Sequence, residues 1–159
     1  MHLRQKQKNA QYLRFLIETN APTCHCQAQA RSEVNIMANI LIIDDQEWAK
    51  DLCREGLAGE SHRIQVTDDI ESVSKNILSF KPNIVLLNLY LKHGFLVWDV
   101  LRNIKIQEPN LPVLIIAPYH NYLFDHRLSE ADGYLLKSHS AAEELKKKIR
   151  ALLKNNLTK

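Results

Sequence analysis

Ala38-Asn39-Ile40-Leu41-Ile42-Ile43-Asp44-Asp45 is the stretch on which the fold turns. Ile40 to Ile43 are all apolar and mostly β-branched, in a run too short for a buried helix. Such a run reads as a strand covered on both faces. The same texture returns in Ile84-Val85-Leu86-Leu87 and Val113-Leu114-Ile115-Ile116, and more briefly in Arg63–Thr67 and Tyr134-Leu135-Leu136. Between these runs the apolar spacing turns helical. It predicts helices over Glu47–Leu57, ending near Gly59, and from a Thr67 or Asp68 cap through Phe80, with Ile70, Val73, Ile77 and Leu78 on one side. It predicts another over Leu96–Ile106, a weak polar one over Tyr122–Glu130, and a last one from a Ser138 or Ser140 cap through Leu152. Pro82, Pro112 and Gly133 punctuate the pattern. Five β-then-α units with right-handed crossovers imply an α/β doubly wound parallel sheet in a three-layer sandwich.

The composition agrees. The chain has 159 residues, 45% of them apolar and 25% charged, which suits one globular domain with an extension. Four Gly and five Pro exclude collagen-like and linker-dominated chains, and no apolar run is long enough for a membrane helix. Three Cys argue against a disulfide framework and for a reducing, cytoplasmic setting. The net charge of +3 lies wholly in residues 1–36, which carry five basic and two acidic residues. From Met37 onward charge is balanced, so there is no electrostatic case for nucleic acid. The texture changes at Met37. Residues 1–36 are read as a disordered extension or a misassigned start, and 37–157 as the folded domain. An N-terminal mass on protein from the native gene would decide between those readings. With the sequence ending at Lys159, just past the last helix, no DNA-binding or catalytic output domain is expected within this chain.

In a doubly wound sheet, ligands sit beyond the carboxyl ends of the strands. The residues there are Asp44 and Asp45 after the first strand, Asn88 after the third, Ala117 and Pro118 after the fourth, and Lys137 after the fifth. Adjacent carboxylates offer hard oxygen ligands suited to Mg²⁺, or act merely as helix caps. Lys137 is a point charge for an anion, or a solvated lysine. Taken in order, Ile40–Asp45, Lys81-Pro82-Asn83-Ile84-Val85-Leu86-Leu87-Asn88, Leu111–Ile116 and Ala131-Asp132-Gly133-Tyr134-Leu135-Leu136-Lys137 resemble the receiver domain of two-component response regulators. The resemblance runs from Met37 to about Leu152. It implies the flavodoxin-like, CheY-like strand order 2-1-3-4-5.

The resemblance also implies a chemistry. A strand-three aspartate takes a phosphoryl group from a histidine kinase, and an acidic pair holds Mg²⁺. A strand-four hydroxyl, a strand-five aromatic and a lysine then read the phosphate. Asp44, Asp45, Tyr134 and Lys137 fit that scheme, but the acceptor position is Asn88 and the hydroxyl position is Ala117. An amide cannot form an acyl phosphate, and Ala117 donates nothing to a phosphoryl oxygen. Ser138 stands where the family usually has Pro, and Leu89–Gly94 lacks the usual Pro-Gly turn. The expectation is a non-enzymatic pseudo-receiver with a weakened Mg²⁺ site at Asp44 and Asp45. Asn88 is expected to accept a hydrogen bond from Lys137 and lock one conformation. Partners are expected to be a histidine kinase, a phosphotransfer protein or another regulator, held through the face of the fourth helix, fifth strand and last helix. No nucleic-acid or membrane partner is expected, and a homodimer stays open. The alternative is a Mg²⁺-dependent switch phosphorylated at another acid such as Asp45.

Other signals carry blander readings. Cys24-His25-Cys26 lacks the second ligand pair of a zinc site. Cys53 reads as a small buried apolar residue. Lys146, Lys147, Lys148 and Arg150 read mainly as a solvated helix face. His93, His120 and His126 read as exposed loop histidines, and Gly56 and Gly59 make no phosphate loop.

Overall fold

A computed structural model describes residues 37–91, 97–117, 125–136, 138 and 140–157. Five parallel strands, β1 (Asn39–Ile43), β2 (Arg63–Thr67), β3 (Ile84–Asn88), β4 (Val113–Ala117) and β5 (Gly133–Leu136), form one sheet in the order β2-β1-β3-β4-β5. The helices are α1 (Glu47–Gly56), α2 (Val73–Phe80), α3 (Val97–Gln107) and α4 (Ala141–Leu157). This is the doubly wound sheet expected from the apolar runs, in the strand order that the resemblance to receiver domains implies.

Strand alternation sorts the core into two layers. Leu41, Ile43, Val85, Leu87, Val113 and Ile115 pack with Val73, Ile77, Leu101 and Ile104 of α2 and α3. Ile40, Ile42, Ile84, Leu86, Leu114, Ile116 and Leu135 pack with Cys53 and Leu57 and with Leu145, Ile149 and Leu153 of α4. Central strands with helices on both faces bury every side chain, which is why their sequence is continuously apolar. At the α1–α4 crossing, a Cβ on Gly56 would stand 2.9 Å from Leu145 Cδ2 and 3.0 Å from the Ala142 carbonyl oxygen. The absent side chain therefore sets how closely the helices approach.

A polar tether reinforces that crossing. Glu60 is nearly buried; its Oε2 lies 2.7 Å from His62 Nε2 and its Oε1 accepts from Arg150 Nη2 at 2.7 Å, with Lys146 Nζ at 3.3 Å. His62 Nδ1 accepts from the Ala38 backbone N–H at 3.3 Å, so Nε2 carries the proton that faces Glu60. Burial opposes ionisation of Glu60, but His62, Lys146 and Arg150 outweigh it and hold its carboxyl below the ordinary value.

Several expected boundaries are corrected. The second helix begins at Val73, with Ser72 rather than Thr67 or Asp68 before it. Thr67 ends β2, and Asp69 Oδ1 accepts from the Glu71 N–H at 3.0 Å to form a turn first. The helix face is thereby set by Val73 and Ile77, and Leu78 lies 65% exposed rather than in the core. The described part of the polar helix over Tyr122–Glu130 is a 3₁₀ turn, His126–Glu130. Asp125 stops its approach in an extended conformation, with its carboxylate bonded to the Arg127 backbone and guanidinium. The last helix runs past Leu152 to Leu157. Its basic run is only partly solvated, because Lys146 and Arg150 are bound to Glu60.

Candidate functional site

The register of the sheet assembles the site. Ile43 of β1 pairs with Leu87 of β3, so the next residues, Asp44 and Asn88, emerge at the same height on neighbouring strands. Asn88 pairs in turn with Ile116, leaving Ala117 one step beyond it on β4. Asp44, Asn88 and Ala117 are all buried, and Asp45 is half-buried. The Asp44 backbone N–H donates to the Thr67 carbonyl at 3.0 Å, which fixes the turn out of β1.

Asn88 Nδ2 donates to Asp44 Oδ1 at 2.6 Å, and Asn88 Oδ1 accepts from the Tyr90 N–H at 3.0 Å. These partners set the amide's orientation: exchanging its oxygen and nitrogen would face oxygen with carboxylate and N–H with N–H. The Gln46 N–H also donates to Asp44 Oδ1, at 2.9 Å. Gln46 Nε2 donates to the Tyr90 carbonyl at 2.6 Å, with Asn88 Nδ2 3.4 Å from the same oxygen.

Burial lifts the Asp44 carboxyl above its ordinary value, and the neighbouring charge of Asp45 adds to it. The bonds from Asn88 and the Gln46 N–H oppose that rise, as does the charge of Lys50 on α1. Asp44 Oδ2 is buried and accepts no hydrogen bond among the described residues. An orphaned carboxylate oxygen beside a second carboxylate fits a hard cation, and Asp44 and Asp45 would hold it. The third corner of such a site does not fit, because Asn88 presents an N–H₂ group to Asp44. Among the described residues no group of three or more His, Cys, Asp and Glu converges.

The remaining expected site residues divide. Tyr134 is 40% exposed, and Lys148 Nζ lies 5.3 Å from its ring centroid, so the aromatic points outward. Ser138 is exposed, and its hydroxyl lies 3.3 Å from that of Ser140. His126 is exposed, as expected. Cys53 is buried, and burial pushes its thiol up to about 12, so it is inert packing. Lys137, His93, His120 and Cys24-His25-Cys26 lie outside the described residues, and with Lys137 the expected bond to Asn88. Gln46, Lys50 and Tyr90 were missed as site residues. Gln46 directly follows the acidic pair, but its partner is a backbone carbonyl 44 residues away, which no residue type announces.

The fold has known counterparts among solved structures. Its structural neighbours are response-regulator receiver domains. NtrX from Brucella abortus superposes with a TM-score of 0.69 at 25% identity, over 77% of this chain and 29% of that one. The present chain thus spans under a third of NtrX. The response regulator TrrA from Thermotoga maritima, solved in complex with Mg²⁺ and BeF, gives a TM-score of 0.65 at 27% identity, over 73% of this chain and 99% of that one. TrrA bound to the histidine kinase ThkA gives 0.64 at 27% identity, covering 74% and 99%. No protein-family model matches the chain, and no curated protein matches it either. The chain has the receiver fold and is homologous to receiver domains of two-component systems. No helix among the described residues is long and apolar enough to cross a membrane.

Proposed function

We propose that this receiver homologue is a pseudo-receiver, a non-enzymatic signalling module that works without aspartyl phosphate. The observation that carries the reading is Asn88. It occupies the buried end of β3, opposite Asp44, where the receiver scheme needs a carboxylate nucleophile. An amide nitrogen donated to Asp44 attacks nothing, and its oxygen is too poor a nucleophile to form an acyl phosphate. Ala117 offers no hydroxyl beside it. Asp44 and Asp45 keep a weak site for Mg²⁺, with one fewer negative ligand than a carboxylate at position 88 would supply.

Output then comes from contact. The partner is a histidine kinase, a phosphotransfer protein or another regulator of a cytoplasmic two-component pathway. It docks on the face made by the 3₁₀ turn, β5 and α4. The kinase-bound state of TrrA supports this choice of partner.

Intact mass after incubation with Mg²⁺ and a small-molecule phosphodonor tests the reading, with Asn88→Asp alongside. Only the variant should gain a phosphoryl group. Uptake by the wild-type chain refutes the proposal and points to another acceptor such as Asp45. Should neither gain one, Ala117 and Ser138 disable the site independently and the phosphate-free reading stands.

A further inference from the structure

Four residues at the head of the sheet form a closed circuit of hydrogen bonds. Asp44 Oδ1 accepts from Asn88 Nδ2, Asn88 Oδ1 accepts from the Tyr90 N–H, the Tyr90 carbonyl accepts from Gln46 Nε2, and the Gln46 N–H returns to Asp44 Oδ1. Two residues follow β1, Asn88 closes β3 and Tyr90 lies just beyond it, so the circuit stitches two neighbouring chain segments together.

Its chemistry is unusual for a place where carboxylate and carbonyl oxygens converge. Asn88 Nδ2 lies 2.6 Å from Asp44 Oδ1 and 3.4 Å from the Tyr90 oxygen. Oxygens gathered around one point of positive charge are what a hard cation arranges, at about 2.0–2.1 Å for Mg²⁺. Here a neutral N–H₂ stands at that point, too close to Oδ1 for a cation to share its face. The Tyr90 carbonyl has two lone pairs. Gln46 Nε2 engages it at 2.6 Å and Asn88 Nδ2 approaches it as well.

We infer that Gln46 and Asn88 form an amide clamp that holds the segment after β3 against the carboxylates in place of a divalent cation. The clamp competes with that cation for Asp44 Oδ1 and the Tyr90 carbonyl. This deepens the pseudo-receiver reading and rests on it. Gln46 is a positioning residue: it acts through the Tyr90 backbone. The clamp leaves the β3 end ordered in cation-free protein, and a cation held by Asp44 and Asp45 would have to displace it to share those oxygens.

The test is a magnesium chloride titration by calorimetry of the wild-type chain, Gln46→Ala and Gln46→Met. Neither substitution adds charge, and both remove the donor to Tyr90. Removing a competitor equal to one ordinary hydrogen bond raises Mg²⁺ affinity about fivefold. A residue that merely supports the fold would weaken cation binding when replaced. Amide hydrogen exchange in chelator supplies the second readout. The Tyr90 N–H is protected in the wild type and loses about fivefold of its protection in both variants, while the amides of central β4 keep theirs. Retained β4 protection also certifies that the variants fold. Unchanged or weaker Mg²⁺ affinity overturns the clamp, as does a Tyr90 amide that exchanges equally fast in all three proteins. Phosphoryl uptake by the wild-type chain would refute the pseudo-receiver reading instead, through a different measurement.

Discussion

Replacing Asn88 by aspartate changes one atom of the side chain from nitrogen to oxygen, yet it should be among the most disturbing surface-free substitutions in the molecule. The amide nitrogen donates to Asp44 Oδ1 at 2.6 Å, with both residues almost wholly out of solvent. In Asn88→Asp that contact becomes carboxylate against carboxylate. Losing a hydrogen bond to a charged acceptor costs about 1.5–3 kcal/mol. Repulsion adds to this, but it has a ceiling. The pair can take up one proton, and the protonated acid at position 88 then donates to Asp44 as the amide did. Binding a proton at pH 7 to a group whose free pKa is about 4 costs about 4 kcal/mol, at 1.36 kcal/mol per unit. The variant should therefore lose between about 1.5 and 4 kcal/mol at pH 7. The sign with pH follows from proton counting. The folded variant binds more protons than the unfolded one, so its stability falls as pH rises. The deficit should shrink by up to about 1.4 kcal/mol per unit as pH drops, and nearly vanish by about pH 4. Urea denaturation in chelator across that range measures it. Magnesium should recover about 2.7 kcal/mol at a hundredfold excess over its dissociation constant. A variant as stable as wild type at pH 7 in chelator would refute the reasoning, since the Asn88–Asp44 bond could not then exist as drawn.

Other expectations follow from the same geometry. Asp44→Asn should raise the melting temperature in chelator at pH 7, because burial and Asp45 disfavour the ionised form; that gain should disappear as acid protonates Asp44 in the wild type. Glu60→Ala should cost about 2–4 kcal/mol in urea denaturation at pH 7, since it leaves the enclosed His62 without its acceptor. The Glu60 carboxyl is held below its ordinary value, so its stabilisation is complete above the unfolded value and lost as pH falls through the folded one; the penalty for the variant should fade on acidification below 4.5. Gly56→Ala gains up to about 1 kcal/mol of helix propensity but pushes α1 away from Leu145 and the Ala142 carbonyl of α4. A net loss of about 1 kcal/mol is expected by thermal melting, and Leu145→Ala in the same chain should relieve part of the crowding.

The residues explain which features were legible. Ile40–Ile43, Ile84–Leu87 and Val113–Ile116 are buried on both faces, so nearly every position in them reports its own environment. Strand ends follow from those runs, which is why Asp44, Asp45, Asn88 and Ala117 were visible as one constellation. Leu78 failed because it sits one residue, about a quarter-turn, round the helix from Ile77 and so falls off the face that Val73 and Ile77 bury, while the start was misplaced because Thr67, Asp68 and Ser72 all look like caps. The bond of Gln46 to the Tyr90 carbonyl and that of Glu60 to Arg150 join positions 44 and 90 residues apart. Local pattern cannot see such pairings, because glutamine and glutamate look the same whether solvated or enclosed.

The Glu60–Arg150 bond has a consequence for biosynthesis. A chain leaves the ribosome from its amino end, and Glu60 and His62 emerge long before Arg150 and the apolar residues Leu145, Ile149 and Leu153. Until α4 arrives, one face of the sheet, including Ile116 and Leu135, lacks the cover of Leu145, Ile149 and Leu153, and an enclosed carboxylate lacks its cations. Folding of this sheet therefore closes only after α4 has been made. A product that stops before α4 presents a greasy sheet to the quality-control machinery instead of passing as a serviceable fold.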